Sequence, residues 1–263
     1  MISFDVRRGA TRYRDEHGGV VSRHAFSAGA RYDPHNLGFG PLIGFDEHVL
    51  APGAGFTAHR HREVEILTWP VAGVLTHRHA DEVAALVPGT LQYLAAGVGV
   101  THSETNEAAT PARFLQMALS TPAGGRPRWE RSTVVGAWAG RPPGGEALGG
   151  EALGGEALGG EALSDGPAGG WRALAAAAEP ALVRLVTPGA SLGLGRFDAS
   201  ARLHLADAPL RLLHVIRGQV RLDPPASRVG GLGAGDSVRI TGAGSVAGRA
   251  SEDAELLLWR FQR

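Results

Sequence analysis

The stretch His59-Arg60-His61-Arg62-Glu63-Val64-Glu65 decides how the rest of this sequence is read. Alternate residues of a β-strand point to the same face, so both imidazoles would enter one space while Arg60 turns away from it. Later in the chain, His102-Ser103-Glu104 repeats the arrangement with a carboxylate in place of one imidazole. Three imidazoles and a carboxylate converging inside a small barrel would bind a first-row divalent metal and leave one or two positions open for water, oxygen or substrate. The candidate metal ligands are His59, His61, His102 and Glu104. A further spaced pair, His77 and His79, falls where a hairpin around 78–82 is expected, and is assigned to that hairpin and not to the metal. Of eleven histidines, nine lie at or before His102, which places the expected chemistry in the first half.

Outward from this stretch, the chain is written in short apolar segments divided by Gly and Pro. They cover 48–51, 65–69, 73–77, 83–87, 91–95 and 114–119, then 181–186, 192–197, 212–216, 219–222, 237–240 and 254–261. Many short strands separated by turn signals indicate an all-β sandwich or barrel. The alanine-rich segment 170–178 reads as the one helix. Over 144–163 the pentapeptide Gly-Gly-Glu-Ala-Leu occurs four times in succession. A five-residue period fits neither helix nor strand, so the segment reads as a linker. Three units follow: an N-terminal metal-binding domain over 1–138, the repeat linker over 139–170, and a second domain over 171–263.

Composition narrows the function. Twenty-six basic residues balance twenty-six acidic ones, so there is no long-range field to steer nucleic acid, and none is expected as a direct partner. With no cysteine, any metal must be held by nitrogen and oxygen, and disulfides, zinc fingers and iron–sulfur clusters are excluded. The absence of lysine excludes Schiff-base chemistry and a lysine-dependent phosphate loop. No apolar run approaches the length that spans a bilayer, and residues 1–10 do not resemble a secretory signal.

The residues flanking the histidines carry a family resemblance. Gly53, His59, His61, Glu65 and Gly73 follow the first cupin motif, lengthened by one residue before its last glycine. Pro88-Gly89, Gly97, His102 and Asn106 follow the second, with four residues instead of two between Gly97 and His102. Both departures are shared with the pirin family of bicupins, whose pattern is similar to His59-x-His61-Arg62-x-x-Glu65 and Ala96-Gly97-x-Gly99-x-x-His102-Ser103-Glu104. His24-Ala25-Phe26-Ser27, Tyr32-Asp33-Pro34 and Leu37-Gly38-Phe39 resemble the entrance segment of the same family. Beyond the linker, 213–222 and 232–240 look like cupin strands with no His-x-His or His-x-Glu, so the second barrel is expected to be metal-free.

The resemblance implies an all-β chain of two cupin (double-stranded β-helix) barrels joined by a low-complexity linker. It implies a single metal, typically iron as Fe(II), on His59, His61, His102 and Glu104, with Glu104 also serving as the base. The activity it implies is that of quercetin 2,3-dioxygenases, which open a flavonol with molecular oxygen; a non-catalytic metal-binding regulator of partner proteins and a cupin isomerase share the scaffold. A cytoplasmic monomer is implied as well. Glu65, a ligand in many other cupins, is left either as a partner that orients an imidazole or as a satisfied polar residue. Arg60 stands where the family commonly has proline, and Thr90 where it has an acidic residue. Phe39, Phe56, Tyr93 and Phe114 are read as core in preference to pocket.

Overall fold

The computed structural model describes residues 1–133, 170–176, 181, 183–223 and 229–262. The Gly-Gly-Glu-Ala-Leu repeat lies outside them. Each half forms a seven-stranded and a four-stranded antiparallel sheet, apart from one short parallel pair, so the all-β bicupin expected from the apolar segments is the architecture found.

In the first barrel the large sheet runs in the order Arg128–Thr133, Thr90–Ala95, Val64–Ala72, Ala112–Ser120, Leu42–Leu50, Val20–His24 and Tyr13–His17. The small sheet runs Gly55–His61, Val100–Thr105, Leu75–His79 and Glu82–Leu86. In the second barrel the large sheet is built from Ser3–Arg7, Ser237–Thr241, Leu210–Arg217, Ala254–Phe261, Ala190–Phe197, Gly170–Ala176 and Val183–Arg184. Its small sheet is Arg202–Leu205, Val246–Ala250, Gln219–Leu222 and Gly231–Gly233.

Period-2 alternation sorts the side chains of each large sheet into an inner and an outer face. The outer faces pack against each other: Phe45, Leu67, Trp69, Leu115 and Met117 of the first barrel share one buried cluster with Leu192, Leu212, Leu257, Trp259 and Phe261 of the second. The Trp259 indole N–H points at Met117 Sδ, 3.3 Å away, across this contact. The barrels are thus back to back, and each keeps its interior for itself.

Two features differ from the sequence reading. The segment 170–178 is not a helix: Gly170–Ala176 is a strand paired with Ala190–Phe197, and 177–178 lie outside the described residues. The helix preference of alanine, below ~1 kcal/mol per residue, yields to tertiary context. Leu174 is fully buried in the cluster between the barrels, and Trp171 packs on Phe197 while its indole N–H donates to the His204 carbonyl. The second difference is the N-terminal strand Ser3–Arg7, which pairs with Ser237–Thr241. The expected unit 1–138 therefore gives its first strand to the other half. Arg8 fastens it, donating to the Asp236 carboxylate at 2.6 Å and to the Gly231 carbonyl at 2.7 Å.

Candidate metal centre

The strand Gly55–His61 lies beside Val100–Thr105, with His59 opposite His102 and His61 opposite Val100. Residues directly opposite share a face, so the three imidazoles enter the barrel together. Their ring centroids stand 4.4 Å (His59–His102), 4.8 Å (His59–His61) and 4.9 Å (His61–His102) apart. One nitrogen from each lies within 4.8 Å of the others. Between His102 and Glu104 the pairing slips, so that Glu104 faces Phe56 and one extra residue is accommodated on the partner strand. The slip leaves the Thr57 carbonyl 2.7 Å from His59 Nδ1. A carbonyl only accepts, so Nδ1 carries a proton and His59 Nε2 is the atom the neutral ring would offer to a ligand.

The other two rings present the same edge. Among the described residues, His61 Nε2 and His102 Nε2 are buried without a hydrogen-bond partner. His102 Nδ1 is 2.9 Å from His77 Nε2, on the neighbouring strand Leu75–His79. Burial, and then the like charge of His59, holds the His61 imidazole below its ordinary pKa. Burial, then the imidazoles of His59, His77, His61 and His79, takes His102 down to about 2. Three imidazoles that each bring one nitrogen within 4.8 Å of the others are suited to a divalent cation. The residues present therefore fit a metal ion.

Glu104 is fully buried on the same strand. Gln116 Nε2 donates to its Oε1 at 3.0 Å and its Oε2 at 2.8 Å, and Thr68 Oγ1 to Oε1 at 3.4 Å. Burial raises its pKa against the opposing pull of the Gln116 amide, His59 and Thr68. The set of nitrogens within 4.8 Å of one another does not extend to its carboxylate. Thr68 lies opposite both Gln116 and Gln92 in the large sheet, so all three side chains share the inner face. Gln92 is buried there, and neither of its amide atoms has a partner among the described residues. Phe56 and Phe114 flank buried His48 at 5.0 and 5.1 Å between ring centroids.

Similarity to known proteins follows the same lines. The Pirin family model matches residues 5–119. A Mycobacterium tuberculosis protein provisionally named a quercetin 2,3-dioxygenase is 31% identical over 259 residues, 98% of this chain and 94% of that protein. The chain belongs to the pirin family. Quercetin 2,3-dioxygenase of Escherichia coli K12 is 34% identical over 129 residues, 48% of this chain and 56% of that one. The fold matches the crystal structure of the bacterial pirin YhhW in complex with nickel(II) from Escherichia coli, with a TM-score of 0.79 at 21% identity over 98% of this chain and 99% of that one.

Within this pirin the chain brings His59, His61 and His102 together and places Glu104 on the same strand face as His102. His77 and His79 form the expected hairpin strand, with His79 opposite Glu82. The hydrogen bond between His77 and His102 was not anticipated; its signal was the same two-residue spacing that marked His59 and His61. Gln116, Thr68 and Gln92 were missed as well, although each is a polar residue inside an apolar strand. Glu65 turns away from the three imidazoles. It lies opposite Ala95 in the large sheet, accepts the Tyr93 hydroxyl at 2.5 Å and the Thr187 amide at 2.8 Å, and is also bonded by the Thr187 hydroxyl and the Val186 amide. It is thus a satisfied polar residue that ties the second barrel to the first. Tyr93 and Phe114 are core, fully buried. Arg60 turns outward as expected and donates to the Val98 carbonyl at 3.3 Å, its guanidinium lying against Gly99. A Cβ at Gly99, where φ is +144°, would stand 2.4 Å from Arg60 Nη2, which leaves room for glycine alone unless the arginine moves.

Proposed function

We propose that this pirin is a metal-dependent dioxygenase of the quercetinase type, in which His59, His61 and His102, with Glu104 beside them, hold one divalent transition metal, Fe(II) on the family resemblance. The observation that carries the reading is the pair of buried Nε2 atoms on His61 and His102, unpartnered among the described residues, next to Nε2 of His59. The names of the relatives from Mycobacterium tuberculosis and Escherichia coli support the substrate class, a flavonol-like aromatic.

A bound cation would supply Lewis acidity toward a substrate hydroxyl and a one-electron partner for oxygen. The remaining work falls to side chains. Among the described residues Glu104 has the neutral donors Gln116 and Thr68 at its carboxylate, so apart from the cation itself no ion pair has to be broken before it accepts the hydroxyl proton. Gln116 grips both carboxylate oxygens and fixes their direction. Gln92 offers an amide donor and acceptor to the polar edge of the substrate, and Phe56 offers it a flat apolar surface. In the overall change the flavonol ring carbons are oxidised, both atoms of one oxygen molecule enter the products, and one carbon leaves as carbon monoxide.

An aerobic assay of metal-loaded protein tests this. One oxygen molecule consumed per flavonol lost, with carbon monoxide released, supports it. Fully loaded protein that consumes neither flavonol nor oxygen refutes it.

A further inference from the structure

We propose that His77 is a positioning residue for the metal site: by accepting the Nδ1 proton of His102 it fixes His102 Nε2 as the ligand atom and sets the strength of that ligand. The proposal rests on the metal-site reading above. His77 Nε2 and His102 Nδ1 are 2.9 Å apart, and both residues are buried. With His102 Nε2 buried, unpartnered among the described residues and given to the metal on the reading above, the proton shared with His77 belongs on Nδ1. A ring that donates through one nitrogen is the better base at the other, and its orientation is no longer free.

His77 is itself held. Its ring lies parallel to Trp129, with 6° between planes and 5.9 Å between centroids. On the opposite face of its strand, Arg78 donates to Thr105 Oγ1 at 3.2 Å and to Glu107 at 2.9 Å, which pins the register of Leu75–His79 against Val100–Thr105. The outer contact thus keeps His77 within reach of His102 on the inner face.

Cobalt(II) binding to the full chain tests the role, with the visible spectrum as a second readout. His77→Phe keeps a ring beside Trp129 and removes the acceptor, so cobalt affinity should fall ~10- to 100-fold and the ligand-field bands should shift. His77→Gln restores an acceptor and should recover most of the affinity and the wild-type spectrum. Wild-type affinity and spectrum in His77→Phe would overturn the proposal while leaving the metal site intact, whereas failure of the wild type to bind cobalt would remove both. Should His77→Phe fail to fold, ring-nitrogen NMR of the zinc-loaded wild type decides: a retained Nδ1 proton on His102, coupled to His77 Nε2, is expected, and a zinc ion bound through His102 Nδ1 would contradict it.

Discussion

In the first barrel His61 lies opposite Val100 and His59 opposite His102; in the second, the corresponding strands place Leu205 opposite Val246 and Leu203 opposite Gly248. The match continues on the next strand, where His77 lies opposite Glu104 in one barrel and Val220 opposite Ala250 in the other. Strand for strand, His59, His61, His77, His102 and Glu104 are replaced by Leu203, Leu205, Val220, Gly248 and Ala250. The second set belongs to a barrel interior filled with hydrocarbon, in which Leu203, Val220 and Ala250 are fully buried. Each such leucine contributes roughly 1.5–3 kcal/mol by leaving water. The first barrel forgoes that contribution and accepts buried nitrogens without partners, a cost that a cation would offset. One strand plan thus supports a stabilising core in one half and a candidate metal centre in the other.

The largest effect is expected from making the first barrel resemble the second. His102→Leu should reduce bound metal to below about a tenth of an equivalent by elemental analysis, since two imidazoles and one carboxylate leave an incomplete set. Glu104→Gln should separate binding from chemistry, lowering flavonol turnover ~10²- to 10⁴-fold while the three imidazoles still retain metal. In the second barrel, Leu203→Ala should cost about 2–5 kcal/mol in denaturant unfolding with metal content unchanged. Equal sensitivity of metal content to His102→Leu and Leu203→Ala would break the comparison.

A pH prediction rests on His48 of the first barrel. Burial takes His48 down to about 4, and Ser22 Oγ is 2.8 Å from its Nδ1. In the unfolded chain the same imidazole binds a proton near 6.5, so it is the unfolded state that gains protons first as pH falls. Stability is fully present above about 6.5 and declines toward 4, by up to about 3 kcal/mol from this residue. His48→Phe should flatten that part of the profile in chemical denaturation of the metal-free protein. The smallest effect is expected from deleting residues 144–163: metal content should not change, and stability should shift by under ~1 kcal/mol, because closure entropy depends only weakly on loop length.

Much of the first barrel was legible because its signals are local. Apolar segments such as 91–95 and 114–119 became strands, and the two-residue spacing of His59 and His61 converted directly into a shared face. What escaped the sequence depends on contacts between residues far apart. Gly170–Ala176 is helical by composition and a strand by the sheet it joins. Ser3–Arg7 pairs with residues more than two hundred positions away, which no periodicity announces. Glu65 occupies a cupin ligand position in spacing yet serves Thr187, because its side chain emerges on the outer face toward the second barrel. His77 and Gln116 look ordinary in isolation and acquire meaning only when His102 and Glu104 are placed beside them.

Anomalous diffraction from crystals of the metal-loaded protein, collected at the absorption edge of the metal, addresses the central claim most directly. The account predicts one peak in the first barrel, within bonding distance of Nε2 of His59, His61 and His102, and none between Leu203 and Gly248. A loaded crystal with no peak at those three nitrogens, or with its metal held elsewhere, would contradict it.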